Sequence, residues 1–253
     1  GLGDVYKRQV QASTGTTIRN LKMFGNNDQA GTSEACCDRE NNHAFAVLSA
    51  TDTLIEGVDI RRVWGDCLYI NRSSVGGWSE GVTLRDSTCR LTGRHGVGLN
   101  AGSRIRIVDN VFDELGLFVF DIEPHESVGG ASDVVYRGND IGSYGLNDYW
   151  QPWLLAACGA DGSEVRGVTL TGNTIEGNRN GLGYVNALHL KICGDRGPRE
   201  DFTVTDNVAR SAVDGPALRF TEVHGVTVTG NVQPLTKGEL ASFSGSTDVT
   251  YDG

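Results

Sequence analysis

The chain has 253 residues, a net charge of −10 at pH 7, 35 glycines and only 5 prolines. The acidic balance disfavours a nucleic-acid partner, because such partners need basic patches that neutralise phosphates. No apolar run approaches the roughly 18 residues that a membrane helix requires, so we expect no membrane span. Many glycines without a collagen-like period or a linker favour one folded body with many turns.

The first residues look foreign to the fold. Residues Asp4 to Gln9 read D-V-Y-K-R-Q, which resembles the translation of a sequencing-library adapter. We therefore expect residues 1–9 to be an adapter-derived scar and residues 10–253 to form a single domain. Because the chain does not begin with Met and ends in what reads as a further strand at Val249–Tyr251, we expect a fragment truncated at both ends.

A short motif recurs along the rest of the chain. It consists of an apolar residue, a spacer, a second apolar residue, two more residues and then Asn, and the residue before Asn is always Asp or Gly. A further copy has Ser87 at the Asn position. The asparagines of the repeat are Asn110, Asn139, Asn173, Asn207 and Asn231.

The repeat predicts a solenoid. Successive copies start 23 to 34 residues apart, and solenoids accept such variation because insertions bulge outward between coils. Asn tolerates the left-handed conformation of a sharp turn, and stacked Asn side chains can bond to one another. We therefore predict an all-β parallel β-helix of about eight coils with the asparagines at one corner. An antiparallel β-sandwich, the alternative, does not explain the constant Asn offset.

Asn-ended strands in coils of this size resemble the pectate-lyase-like superfamily of right-handed parallel β-helices, over nearly the whole chain after about residue 15. The resemblance implies the fold and its right-handed winding. It does not imply one reaction, because the superfamily contains lyases, hydrolases, epimerases, esterases, phage tailspikes and adhesins.

Each coil has a second strand after its Asn turn, and residues between its apolar positions should point away from the core. Neighbouring coils lie about 4.8 Å apart, so these polar side chains should share one surface. The candidate catalytic residues there are Asp66, Arg94, His95, Asp121, Glu123 and His125. The candidate substrate-binding residues are Tyr69, His189, Lys191 and Arg219, with Tyr149, Trp150 and Trp153 of an aromatic insertion.

Alignment of these strands places Leu188 opposite Leu218 and Lys191 opposite Thr221, and it puts His189 in the column of Asp121. Opposite charges on neighbouring coils also pair simply for solubility. For Lys191 and Arg219 that structural role is the leading interpretation.

Carboxylates, imidazoles and cations on one rigid face suit acid–base chemistry on a polysaccharide. A lyase needs a base beside a uronate carboxyl and a cation for the enolate, whereas a hydrolase needs two carboxyls. We expect His95, Asp121 and Glu123 to form the centre. The pKa of Asp121 should be raised, because Glu123 crowds it and the aromatic insertion partly covers it.

Local segments resemble three groups within the superfamily. Arg94–Val97 followed by Asp121–Pro124 resembles an R-x-G-I…D-I-E-P pattern of phage-tail and bacterial-surface β-helix proteins. Gly65–Cys67 with Arg94–Gly96 resembles the G-D-D-C and G-H-G segments of polygalacturonases, with one Asp of the pair present.

The third resemblance concerns Phe120–Glu126, which is similar to the Y-G-F-D-P-H-D segment of alginate C5-epimerases. It implies Glu123 at the catalytic Asp position and His125 at the catalytic His position. Phe120 stands where that family has Tyr, and a phenyl ring cannot donate a proton.

The chain has six cysteines and no C-x-x-C motif. Cys158 and Cys193 follow face strands of adjacent coils at nearly equal positions, so we expect their Cα atoms within about 7 Å, close enough for a disulfide. Cys89 falls in an inward column and is expected to be a buried thiol. Cys36 and Cys37 lie in a polar loop with Asp38, Glu40 and His43, which either holds a metal ion or is simply solvated.

These features predict a polysaccharide-acting protein, extracellular or on a cell or virion surface, with lyase, hydrolase or epimerase chemistry. The alternative is a non-catalytic glycan-binding adhesin or phage tail module, which would be trimeric if phage-derived. No cofactor motif is evident. Bound calcium is one way in which an acidic protein can accept an anionic polymer.

Overall fold

A computed structural model of the chain describes residues 8–27, 39, 41–146, 151, 153–177, 183 and 185–253. Over these residues the chain is all-β and winds into a right-handed parallel β-helix of about nine coils, one more than predicted. The described part also contains a 3₁₀ turn at Gly194–Arg196. It contains no helix long and apolar enough to cross a membrane.

Three sheets run along the solenoid. The first contains Arg8–Gln11, Phe45–Leu48, Leu68–Asn71, Val97–Leu99, Phe120–Ile122, Leu155–Ala157, Leu190–Cys193, Leu218–Thr221 and Ala241–Ser244. The second contains Thr17–Arg19, Thr51–Glu56, Ser79–Arg85, Ala101–Val108, Gly130–Arg137, Glu164–Thr171, Arg199–Thr205, His224–Thr229 and Thr247–Tyr251. The third contains Lys22–Phe24, Asp59–Val63, Thr88–Thr92, Val111–Leu115, Asp140–Ile141, Thr174–Ile175 and Val208–Ala209, and Val213–Asp214 pairs separately with Leu235–Lys237.

Every strand pairs in parallel with the equivalent strand of the next coil. In the first sheet Leu68 pairs with Val97, Val97 with Phe120 and Phe120 with Leu155. All four side chains are fully buried in the core between the sheets. The stacking confirms the predicted parallel solenoid and excludes the antiparallel sandwich.

The asparagines of the repeat form a hydrogen-bonded ladder at one corner, as predicted. The Nδ2 of Asn139 donates to Asn173 Oδ1 at 2.9 Å, and that of Asn173 donates to Asn207 Oδ1 at 2.8 Å. Asn110 and Asn231 continue the ladder in the two directions. Each Nδ2 also donates to a carbonyl of the preceding coil, such as Tyr136 O for Asn173. The ladder therefore satisfies buried polar groups and joins successive coils.

The left-handed backbone lies one residue earlier than predicted. In the five ladder turns it is the residue before Asn that has positive φ, for example 56° at Asp109 and 64° at Gly138. Gly and Asp tolerate this conformation, which explains why only they precede Asn in the motif. Asn itself contributes its side-chain hydrogen bonds.

The sequence alignment of the coils was wrong by two residues at one strand of the first sheet. Leu190 pairs with Leu218, and Lys191 pairs with Arg219, so Leu188 does not lie opposite Leu218. The same register puts Lys191, through Ala156, in the column of Asp121. The irregular segment before this strand, which includes Asn186 and Ala187, breaks the spacing on which the alignment relied.

Among the described residues, two disulfides join neighbouring coils. Cys158 and Cys193 are bridged with Cα atoms 4.7 Å apart, which confirms the prediction. Cys89 is buried in register with Ile60 and Phe112, but it is bridged to Cys67 rather than being a free thiol. Disulfides of this kind persist in oxidising compartments and are rare in the cytosol.

Replacement of Asn173 by Ala tests the ladder. The change removes the bonds to Asn207 Oδ1 and Tyr136 O and leaves buried partners unsatisfied, so the free energy of unfolding should fall by about 2–4 kcal/mol. Asn231→Ala, at a half-buried position, should cost less. Urea denaturation measures both variants, and equal small losses of under about 1 kcal/mol would contradict a stabilising ladder.

Candidate functional site

A pocket of about 400 Å³ lies on the outward face of the first sheet. It spans neighbouring coils and is lined mostly by polar side chains. The predicted catalytic and substrate-binding residues that line it are Asp66, Tyr69, Arg94, His95, Asp121, Glu123 and His125.

Two columns of the sheet build this pocket. One column lies two residues before each strand and contains His43, Asp66, His95 and Phe118. The other lies within the strands, where Gly98 sits between Tyr69 and Asp121. A Cβ atom on Gly98 would lie 2.8 Å from Asp66 Oδ2. Glycine at this position therefore leaves the space that the pocket occupies.

The central side chains point away from the core, as predicted, yet they are buried. Asp66 is 1%, His95 3% and Asp121 6% exposed. Half-buried Leu117 and Phe118 of the next coil line the pocket beside them. Burial of this kind strengthens electrostatic interactions among the three side chains.

The backbone fixes the tautomer of His95. Its Nδ1 accepts a hydrogen bond from the Phe118 backbone N–H at 3.2 Å, so in the neutral ring the proton resides on Nε2. That Nε2 lies 3.3 Å from Asp121 Oδ2. Burial lowers the pKa of His95 to about 4 and outweighs the attraction of Asp66. At neutral pH the ring is therefore uncharged, and its Nε2 faces Asp121 Oδ2 and, at 3.4 Å, Arg94 Nη2.

Asp121 and Glu123 differ in protonation. Burial, followed by the charges of Glu123 and Asp66, raises the pKa of Asp121 well above its usual range. The neighbouring His125 is the largest influence on Glu123 and lowers its pKa. The surroundings thus favour the protonated form of Asp121 and the ionised form of Glu123, as expected when carboxyls crowd one site.

Asp66 is a buried carboxyl that accepts a backbone hydrogen bond and lies beside His43 and Arg94. The His95 backbone N–H donates to its Oδ1 at 3.0 Å, and His43 Nδ1 lies 3.1 Å from its Oδ2. Burial would raise the pKa of Asp66, but His43, His95 and Arg94 outweigh it and hold that pKa well below its usual range. Asp66 therefore stays ionised inside the pocket.

Tyr69 stands at the edge of the site as a protonated phenol. Its ring stacks on His43 with centroids 4.4 Å apart, and Asn71 Nδ2 donates to its oxygen at 2.8 Å. Burial raises the pKa of Tyr69. Since the oxygen accepts from Asn71, its hydroxyl proton can be directed toward a ligand.

Sequence reasoning missed His43 as a site residue and grouped it with a polar loop for which a metal site and plain solvation were both open. Cys36, Cys37, Asp38 and Glu40 of that loop lie outside the described residues. The available signal was spacing, because His43 precedes Phe45 by two residues as Asp66 precedes Leu68. Among the described residues, no group of three His, Cys, Asp or Glu side chains is arranged to hold a metal ion.

The remaining predicted binding residues form a separate patch. Trp153 and His189 are buried and meet edge to face with centroids 6.1 Å apart, and the Arg219 guanidinium lies 5.5 Å above the Trp153 ring. Lys191 is exposed beside Arg219. Their coils follow that of Asp121, about 5–15 Å along the axis, so the patch does not line the pocket. Tyr149 and Trp150 lie outside the described residues.

Fold and pocket together define a right-handed parallel β-helix with a polar site on its first sheet. No protein-family model and no curated protein matches the sequence.

Solved structures match the fold. The chain is similar to a family 28 exopolygalacturonase of Yersinia enterocolitica, with a TM-score of 0.53 and 11% identity over 83% of this chain and 47% of that one. It is also similar to an alginate lyase from Paenibacillus sp. str. FPU-7, with a TM-score of 0.52 and 13% identity over 96% and 92% of the two chains. At these identities the likeness concerns the fold, and the chain spans about half the length of the exopolygalacturonase.

The state of His95 can be measured directly. Its ring signals in NMR spectra, assigned with a His95→Gln variant, should stay constant from pH 8 to 5 and show the Nε2–H tautomer, because the pKa lies at about 4. Between about pH 6.5 and 4 the unfolded chain binds a proton at His95 that the folded chain does not. The free energy of unfolding should therefore decrease as the pH is lowered through this range. A titration midpoint near 6.5 would contradict this environment.

Proposed function

We propose that the protein hydrolyses a glycosidic bond of a polysaccharide that binds in the pocket of the first sheet. The observation that carries the proposal is a pair of buried carboxyls in one pocket, Asp121 and Asp66, whose surroundings raise the pKa of the first and lower that of the second. Carboxyls whose environments drive their pKa values apart serve as the acid and base of glycosidases.

His95 contacts both carboxyls, with its backbone N–H donating to Asp66 and its Nε2 3.3 Å from Asp121. Inverting glycosidases need room for an attacking water between their two carboxyls, which lie about 6.5–9.5 Å apart. Gly98 leaves the space between Asp66 and Asp121 open.

Each residue then has a defined role. Asp121 gives its proton to the glycosidic oxygen, which keeps the electron pair as its bond to the anomeric carbon breaks. Water attacks that carbon and loses a proton to Asp66. Exchange with solvent afterwards restores the proton to Asp121 and removes it from Asp66.

Several neighbours support these roles. Glu123 keeps Asp121 protonated through its charge, and His95 fixes the direction of the Asp121 carboxyl. Arg94 lies 3.8 Å from Asp66 and provides a cation at the pocket. His125 lies 3.7 Å from Glu123 and holds it ionised.

The geometry supports epimerase chemistry less well. Phe120, at the position of the epimerase tyrosine, is fully buried and stacks on Tyr136 in the core. That position therefore provides no proton donor to the pocket.

The disulfides favour an oxidising compartment, and the proposed polysaccharide substrate would be extracellular. We accordingly place the protein in the extracellular space or on a cell surface.

Asp121→Asn and Asp66→Asn test the proposal. Each should lower turnover at least about 10²-fold, because proton transfer by a positioned group contributes that much. Asp161→Asn, at an exposed residue, is the matched control and should keep full activity. A panel of uronate and neutral polysaccharides is assayed for new reducing ends and for ultraviolet-absorbing unsaturated ends.

The two readouts separate the alternatives. Reducing ends without unsaturated ends support hydrolysis, whereas unsaturated ends identify a lyase and contradict the proposed roles. Glycan binding without any cleavage would identify a binding module. Full activity in both carboxyl variants would show that the reaction takes place elsewhere.

A further inference from the structure

A second cavity of about 180 Å³ adjoins the pocket where the first sheet turns into the second. It arises from the lengths of three successive turns. Residues 72–78 and 123–129 form loops, whereas the coil between them passes from Val97–Leu99 to Ala101–Val108 through Asn100 alone. The short turn leaves a notch with Asn100 as its floor.

The two loops are tied together over this notch. Arg72 of one loop forms an ion pair with Glu126 of the other, and Trp78 Nε1 donates to Val128 O at 2.9 Å. These contacts reach across the intervening coil and hold the walls of the notch apart at a fixed distance. The shape of the cavity is therefore fixed by contacts within the protein.

The notch continues the pocket in the direction of the strands. Asn100 and His125 line both cavities. A linear ligand that occupies the pocket would thus enter the notch with its next unit. The patch of Lys191 and Arg219 lies along the helix axis instead and is not on this path.

The chemistry of the notch suits a sugar ring. Its volume equals that of about six waters, which is the space of one hydroxylated ring. Ser74 offers a hydroxyl, and Arg72 and Glu126 offer donors and acceptors while their charges cancel. Side chains of this kind recognise hydroxyl groups through directed hydrogen bonds.

We propose that the notch is a second sugar-binding subsite, which binds the unit next to the one in the pocket. The proposal rests on the proposed function, since it takes a glycan in the pocket as given. It predicts that the glycan lies along the strands, across the helix axis, with one unit beneath the Arg72–Glu126 pair.

The test compares oligosaccharides of one and two units. Native mass spectrometry reads intact bound ligands by mass, with oligogalacturonates, alginate oligomers, cello-oligosaccharides and malto-oligosaccharides as probes. For the series that binds, the two-unit ligand should bind about tenfold more tightly than the one-unit ligand, because the second ring adds hydrogen bonds.

The ratio of the affinity for the two-unit ligand to that for the one-unit ligand reports on the notch. Ser74→Trp fills the notch and should reduce this ratio to about one. Ser244→Trp, an equally exposed serine at the far end of the first sheet, is the matched control and should keep the ratio. Arg72→Leu should lower the ratio at least about threefold through loss of its hydrogen bonds.

A ratio that persists in Ser74→Trp, or that is absent from the unmodified protein, would overturn the subsite and leave the proposed function standing. If no oligosaccharide of any series binds the unmodified protein, both proposals fail.

Discussion

The hydrogen-bonded column of asparagines is the constraint on which the rest of the molecule depends. Because side chains alternate between the two faces of a strand, a slip of one residue would turn Asp121 toward the core and Phe120 toward solvent. In the coils that carry the site, the column continues from Asn110 to Ser87, whose N–H donates to Asn110 Oδ1 and whose Oγ accepts from Val58 N–H. These bonds oppose such a slip, since each group has its partner only when the coils are in register. The hydrogen bonds at this corner therefore fix the register in which residues far apart in sequence come together at the site.

The register of the coils determines where the site residues lie, whereas burial and neighbouring groups determine their protonation. Asp66 and Asp121 are both removed from water, yet their neighbours differ. Asp66 accepts from a backbone amide and lies beside His43, which favours the ionised form. Asp121 meets a neutral His95 and the negative charge of Glu123, which favours the protonated form. Two like residues thus acquire opposite states from their surroundings.

Much of this could be predicted from the sequence. The constant Asn offset predicted parallel coils, and alternation about Leu68, Val97 and Phe120 predicted which side chains share the outer face. Such features are local and repeat from coil to coil, so they can be read without coordinates.

Other features depend on contacts between coils. The alignment failed at Leu190, because an irregular segment precedes it. The Cys67–Cys89 bridge and the burial of His95 under Phe118 arise from neighbours on other strands. The notch over Asn100 depends on the relative lengths of three turns, and a repeat pattern does not reveal what such loops enclose.

We expect Asp121 to remain protonated at neutral pH because of its burial and the charge of Glu123. Carbon-13 NMR of the labelled side-chain carboxyl, followed against pH, measures this most directly. We expect the signal of a neutral acid at pH 7, with a midpoint well above the usual value, and we expect Glu123→Gln to move that midpoint downward. An ionised Asp121 at pH 7 with a midpoint near 4, unchanged in Glu123→Gln, would contradict the account.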